Sequence, residues 1–297
     1  MVIEIVLRAG FFIYFEKNPL PWDLCTVKGV PYVQGGYHID DPAMYVYLKK
    51  TKPRILVLGD YISMHRGREP GGRDYPELLA EKLNGAFEVI NTGAVYYSVK
   101  EEAAVLEHMG DRVDPDVIVV GHVFNDLGFR GIRYAMMRLQ LKASLFKFQW
   151  ITPLALMNLN LFVKQRYWSQ AYSQHAQDII KESWQDYNDP GSIVFLRQFL
   201  GALKRIQERR KTPVIFVIIP IFYDFNNAMV KGINNRVVQE CERSGIEYID
   251  LLDIFKQYKV MDLKEDDGDV WHPNAAGRML IAEQIFKRIK AISLAQH

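Results

Sequence analysis

The chain has 297 residues, 49% of them hydrophobic and 24% charged, which excludes a disordered polypeptide and supplies enough apolar material for a sizeable core. Its 37 Lys and Arg against 35 Asp and Glu leave a formal net charge of +2, so no global field points to nucleic acid as a partner. Cys25 and Cys241 are too few and too far apart for a disulfide framework or a metal-ligand spacing, and both read as buried thiols.

In chain order, the opening MVIEIVLRAGFFIYFEKNPLPW has an apolar run that Glu4 and Arg8 interrupt and that is too short to cross a bilayer. Residues 1–53 read as an N-terminal extension. Residues 1–20 form an amphipathic segment suited to docking on the core, on a protein partner or on a membrane surface.

From Arg54 onward, apolar runs alternate with helical patterns over residues 54–297. The runs are RILVLG (54–59), FEVIN (87–91), DVIVVG (116–121), VIFVIIP (214–220) and IEYID (246–250). Between and after them stand YPELLAEKLN, SVKEEAAVLEHMG, SIVFLRQFLGALKRIQERR, AMVKGINNRVVQECERSG and NAAGRMLIAEQIFKRIKAI, each with apolar residues at helical spacing. Five strands, each followed by a helix, predict a three-layer α/β domain with a parallel five-stranded sheet in the flavodoxin-like arrangement. Residues 129–192 far exceed a usual connection and predict a helical insertion. Its first part mixes Arg130, Arg133, Arg138, Lys142 and Lys147 with Tyr134, Phe146, Phe148 and Trp150, so residues 129–170 suit a helical cap, a lid, a partner groove or a membrane surface.

Sites in such sheets sit at the carboxyl ends of the strands. There the chain carries Gly59-Asp60-Tyr61 after the first run, Asn91-Thr92-Gly93 after the second and GHVFND (121–126) after the third, with DGDVWHP (267–273) before the last helix. A lone Gly-Asp or Asn-Asp is a common turn signal, but four such blocks in order are specific. The combination resembles the SGNH or GDSL hydrolase family, over about 240 residues from Arg54 to the last helix, with its Asp-x-x-His-Pro ending.

The resemblance implies an SGNH hydrolase fold and assigns roles. Asn125 and Gly93 match the family's oxyanion-hole donors, which stabilise the charge of a tetrahedral intermediate at roughly 3 kcal/mol each. Asp269 and His272 match its orienting carboxylate and general base. Tyr61 stands where the family has its nucleophilic serine. A phenol projects several ångströms further than a serine hydroxyl, into the space of the acyl group. An ordinary phenol with a pKa of about 10 is only ~0.1% ionised at pH 7, although tyrosine does act as a nucleophile in some glycosidases.

Replacement nucleophiles are not evident. Ser63, two residues on, points elsewhere from the start of a helix, and Ser98 with Glu101 forms a capping box. Asp60, His65, His122, Asp126 and His272 carry no metal-ligand spacing, so neither a metal nor another cofactor is implied. Two readings stand. In one, the chain has lost ester hydrolysis and serves as a binding or scaffold subunit, docking through residues 1–20 and 129–170. In the other, it is an active esterase, deacetylase or acyltransferase on acylated small molecules, glycans or lipids, through an unorthodox nucleophile or a water activated by His272. The resemblance implies a membrane-associated or cell-envelope location, and otherwise the cytoplasm.

Overall fold

The computed structural model describes residues 50–64, 72–93, 97–127, 176–266 and 269–295, together with three short strands near the N-terminus. Those strands, β1 (Thr26–Val27), β2 (Val30–Val33) and β3 (Tyr37–His38), pair antiparallel in the order β1-β2-β3. The rest of the extension before residue 50, including residues 1–20 and Cys25, lies outside the described residues, as does the segment 128–175.

The main sheet consists of β4 (Arg54–Gly59), β5 (Glu88–Asn91), β6 (Val117–Val123), β7 (Val214–Ile219) and β8 (Tyr248–Asp250). All neighbours are parallel and the order is β5-β4-β6-β7-β8. Every residue of β4, β6 and β7 is buried, because helices cover both faces; this is why their sequences are continuous apolar runs and not alternations. The edge strands β5 and β8 are less buried.

The helices are α1 (Tyr75–Lys82), α2 (Val99–Val113), α3 (176–188), α4 (Pro190–Arg210), α5 (Ala228–Ser244), the short α6 (Leu251–Phe255) and α7 (Ala275–Ala295). The chain steps from β4 outward to β5, then back across to β6 and on to β8. With right-handed crossovers that reversal sends α1 to one face and α2, α4 and α5 to the other, and α7, which follows the last strand, packs on α1. The reversal point lies between the carboxyl ends of β4 and β6, where the crevice of such a sheet opens.

Local signals fix the element ends. Asp74 and Glu77 form a capping box at α1, and Ser98 and Glu101 form the one expected at α2. Gly245, at φ 64°, ends α5 in the left-handed conformation that glycine adopts without strain. Cys241 is buried on α5, and burial pushes its thiol up to about 12.

The last part of the expected insertion lies among the described residues. Residues 176–188 of the expected insertion form α3, whose Ala176, Ile179, Ile180 and Tyr187 are in the core, and Asp189-Pro190 caps α4 with Asp189 accepting the N–H of Ser192 at 2.8 Å. A Pro-Gly pair that reads as a loop is here the first turn of a helix, where proline loses no hydrogen bond.

Candidate functional site

The loops after β4, β5 and β6 and the loop before α7 meet at the reversal point. Gly59 and Gly121 face each other in register across β4 and β6. A Cβ on Gly59 would lie 2.1 Å from Ser63 Oγ, and one on Gly121 would lie 2.3 Å from the Tyr75 hydroxyl. The two glycines thus make room for a buried hydrogen bond of 2.9 Å between Ser63 and Tyr75, and burial raises the Tyr75 phenol above its usual range. Ser63 is therefore locked in the core with its hydroxyl engaged.

Tyr61 opens the 3-10 turn Tyr61–Met64 that follows β4, and its ring stands edge-on to His272, with centroids 5.1 Å apart and planes at 83°. Asp60, beside it, points inward: Oδ1 accepts the N–H of Ile62 at 2.8 Å, and the carboxylate also takes a hydrogen bond from the Asn125 side chain. Burial and the nearby Asp126 push the Asp60 carboxyl well above its ordinary value in spite of those donors.

Gly93 sits against the same turn, where a Cβ would come 2.6 Å from Ser63 Cβ and 2.9 Å from the Asp60 carbonyl. Its N–H donates to Asn91 Oδ1 at 2.9 Å, and Asn91 Nδ2 donates to the Ser63 carbonyl at 2.7 Å. The two residues matched to oxyanion donors are thus both engaged within the fold, Asn125 on Asp60 and Gly93 on Asn91. Engagement of one amide proton of Asn125 leaves the other for a ligand, because a carboxamide carries two.

Asp269 and His272 come together as their spacing suggests. Asp269 Oδ2 lies 2.7 Å from His272 Nδ1, while Oδ1 accepts the N–H groups of Trp271 and His272 at 2.8 and 2.9 Å. Burial acts to raise the Asp269 carboxyl, but the His272 hydrogen bond and charge and the two backbone donors outweigh it and hold it below its ordinary value. With Nδ1 held by the carboxylate, the imidazole presents Nε2 away from it, the geometry of a general base.

The loop is clamped from behind. Lys264 and Pro273 form an isolated antiparallel bridge, the Glu265 N–H donates to the His272 carbonyl at 3.1 Å, and the buried Arg278 of α7 donates to Glu265 Oε1 at 2.8 Å and the Pro273 carbonyl at 2.9 Å. Trp271 stacks on Phe124, centroids 4.8 Å apart, joining this loop to the turn after β6.

Beneath the rim lie acids the sequence reading left out of the site or assigned to a turn: Glu102 on α2, and Asp126 beside His122. Glu102 carries no sequence signal, since it follows the capping-box glutamate on a helix. His122 and Asp126 are four apart at a strand end, a spacing that does put them on one side of a turn. Among the described residues, no group of three His, Cys, Asp or Glu is placed to hold a metal ion, and His65 lies outside them.

The family model for GDSL-like lipases and acylhydrolases matches residues 57–280, well over half the chain. The chain belongs to the GDSL-like lipase/acylhydrolase family. The matched span of this GDSL-like chain holds all four loops described above. Solved structures similar to it include a lipase/acylhydrolase from Enterococcus faecalis (14% identity, 80% of this chain and 96% of that one, TM-score 0.49). They also include an acetylxylan esterase from Geobacillus stearothermophilus (16%, 80% and 94%, TM-score 0.48) and an α/β hydrolase from the metagenome of Lake Arreo, Spain (17%, 79% and 94%, TM-score 0.46). No curated protein matches the chain.

Proposed function

We propose that this GDSL-like chain has given up ester hydrolysis through a serine acyl-enzyme and works as a binding or scaffold subunit. The observation that carries the reading is Tyr61. It occupies the nucleophile's place at the end of β4, and its ring rests edge-on against the imidazole that would serve as base. A serine at that turn places a small hydroxyl between the base and an acyl carbonyl, whereas the phenol ring fills that space. Ser63 offers no substitute, since it is fully buried on Tyr75. Residues 1–20 and 129–170 supply the docking surface in this proposal, the first on the strength of its amphipathic apolar run and the second on its basic and aromatic composition.

The second reading, an active esterase, deacetylase or acyltransferase on an acylated glycan, lipid or small molecule, is favoured by one specific observation. The Asp269–His272 pair is intact at 2.7 Å and could activate a water. Hydrolysis of a short-chain aryl ester separates the two. Under the proposal the native protein is silent, Tyr61→Ser gains turnover, and Tyr61→Ser with His272→Ala loses it again. Turnover by the native protein that His272→Ala abolishes favours the second reading.

A further inference from the structure

Two helices of one layer gather three arginines around a single acid. Arg236, Glu240 and Arg243 stand four and three residues apart on α5 and share one of its faces, and Arg197 reaches them from α4, which packs on α5. The Glu240 side chain is 1% exposed, whereas those of Arg197, Arg236 and Arg243 are 44%, 29% and 58% exposed. Arg197 grips the carboxylate with a two-point fork, Nε on Oε2 and Nη2 on Oε1, both at 2.9 Å. Arg243 Nη1 donates to Oε1 at 2.9 Å and to Oε2 at 2.8 Å, and Arg236 Nη2 lies 3.5 Å from Oε1.

The charges in this cluster do not balance. Burial acts to raise the Glu240 carboxyl, but the Arg197 hydrogen bond and the charges of Arg197, Arg243 and Arg236 outweigh it and hold it below its ordinary value. Guanidiniums keep their charge at any ordinary pH, so three positive charges meet one negative charge. No other Asp or Glu among the described residues pairs with any of the three arginines. Glu242 is two residues from Glu240 and so faces elsewhere on α5, where it accepts the Tyr248 hydroxyl at 3.1 Å. Lys204 of α4 donates to the Gly245 carbonyl at the end of α5 and has its own acid, Glu208, at 3.9 Å.

One bidentate arginine completes a buried ion pair, and each further guanidinium brought to the same carboxylate adds repulsion between cations. What the arrangement gains is unused donors held in place. Each guanidinium has five N–H groups, and Glu240 engages only Nε and Nη2 of Arg197 and Nη1 of Arg243 at hydrogen-bond distance. Arg236 reaches the Gln239 side chain at 3.5 Å, and its Nε is buried without a hydrogen-bond partner among the described residues. A buried donor in that state is unfavourable until an acceptor meets it.

We infer that the seam between α4 and α5 is a binding site for a phosphate group, held by Arg197, Arg236 and Arg243 around the acid that gathers them. A phosphate monoester carries nearly two negative charges at pH 7, which cancels the excess, and its oxygens accept paired N–H bonds from guanidiniums. The site is remote from the crevice. Helix α5 starts after the carboxyl end of β7 and runs back toward the amino ends of the strands, and the cluster occupies its second half. Binding there is therefore independent of whether the chain hydrolyses an ester.

The test titrates the full chain with glycerol phosphate and, in a second arm, with inorganic phosphate, followed by calorimetry and by the arginine Nε–H resonances. Glycerol is the uncharged control. The native protein is expected to bind one equivalent saturably with either probe, shifting the Nε–H resonances that Arg197→Gln, Arg236→Gln and Arg243→Gln remove. Tighter binding of glycerol phosphate assigns the site to a phosphorylated molecule, and equal binding assigns it to the free anion. Arg197→Gln and Arg243→Gln should each weaken binding roughly tenfold, since a hydrogen bond to a charged group contributes on that order. Lys287→Gln, which removes a 62% exposed cation of α7, should leave it unchanged. No saturable binding up to about 10 mM overturns the inference, because that is weaker than even a poor specific site. Binding that both arginine variants retain, or that Lys287→Gln weakens equally, overturns it as well. If Arg197→Gln does not fold, Arg243→Gln, whose side chain is the most exposed of the three, decides by the same criteria.

Discussion

Replacing Arg278 by leucine tests how the histidine loop is held. Arg278 is 1% exposed and donates through Nη1 both to Glu265 Oε1 at 2.8 Å and to the Pro273 carbonyl at 2.9 Å, while Glu265 itself is only 7% exposed. The Arg278→Leu change keeps much of the apolar stem but strips a buried carboxylate of its cation and a buried carbonyl of a charged donor. Breaking a buried ion pair from one side costs about 3–5 kcal/mol. Against a total stability of roughly 5–15 kcal/mol, that is a large fraction. Urea unfolding at pH 7 of Arg278→Leu, Glu265→Leu and the double variant measures it. The double variant should be more stable than the sum of the two losses predicts, by about 1–3 kcal/mol, since the coupling between paired groups is of that size. Because the Glu265 N–H also holds the His272 carbonyl, Arg278→Leu should lower kcat in a Tyr61→Ser background by more than the unfolded fraction accounts for. A loss under about 1 kcal/mol, or strict additivity in the cycle, would refute this account of the loop.

Three further outcomes are expected. Ser63→Ala leaves the buried Tyr75 hydroxyl without its partner and should cost about 1–3 kcal/mol in urea unfolding, while any turnover of the Tyr61→Ser variant survives it. Gly121→Ala drives a methyl into the Tyr75 hydroxyl at 2.3 Å and should destabilise by about 1–3 kcal/mol, read as a lower midpoint at unchanged m-value. Asp269 is held below its ordinary value, so its contribution is present above the unfolded-state carboxyl value and is lost as pH falls through the folded one. Asp269→Asn should therefore unfold with a shallower acid limb below about pH 4.

Much of the architecture was readable because the physics behind it is local or periodic. RILVLG became β4 residue for residue, and the runs for β6 and β7 were continuous because both faces are covered. Ser98 and Glu101 announced α2 by a capping box that needs no tertiary contact. Asp189-Pro190-Gly191 has the composition of a loop, and only the structure shows it to be a junction of two helices. The Asp269–His272 pair follows from a spacing of three within one loop. What Asn125 and Gly93 touch does not, since Asp60 and Asn91 arrive from other strands. Glu102 was invisible for the same reason: a glutamate in the first turn of a helix reads as solvated until the neighbouring strand ends close over it.

The most direct measurement of the central claim is intact-protein and peptide mass spectrometry after exposure to a fluorophosphonate that captures activated serines. The account predicts that the native chain stays unmodified and that Tyr61→Ser carries one adduct at position 61, lost when His272 is also replaced by alanine. A His272-dependent adduct on the native chain, at Tyr61, Ser63 or any other residue, would contradict it and establish a working nucleophile.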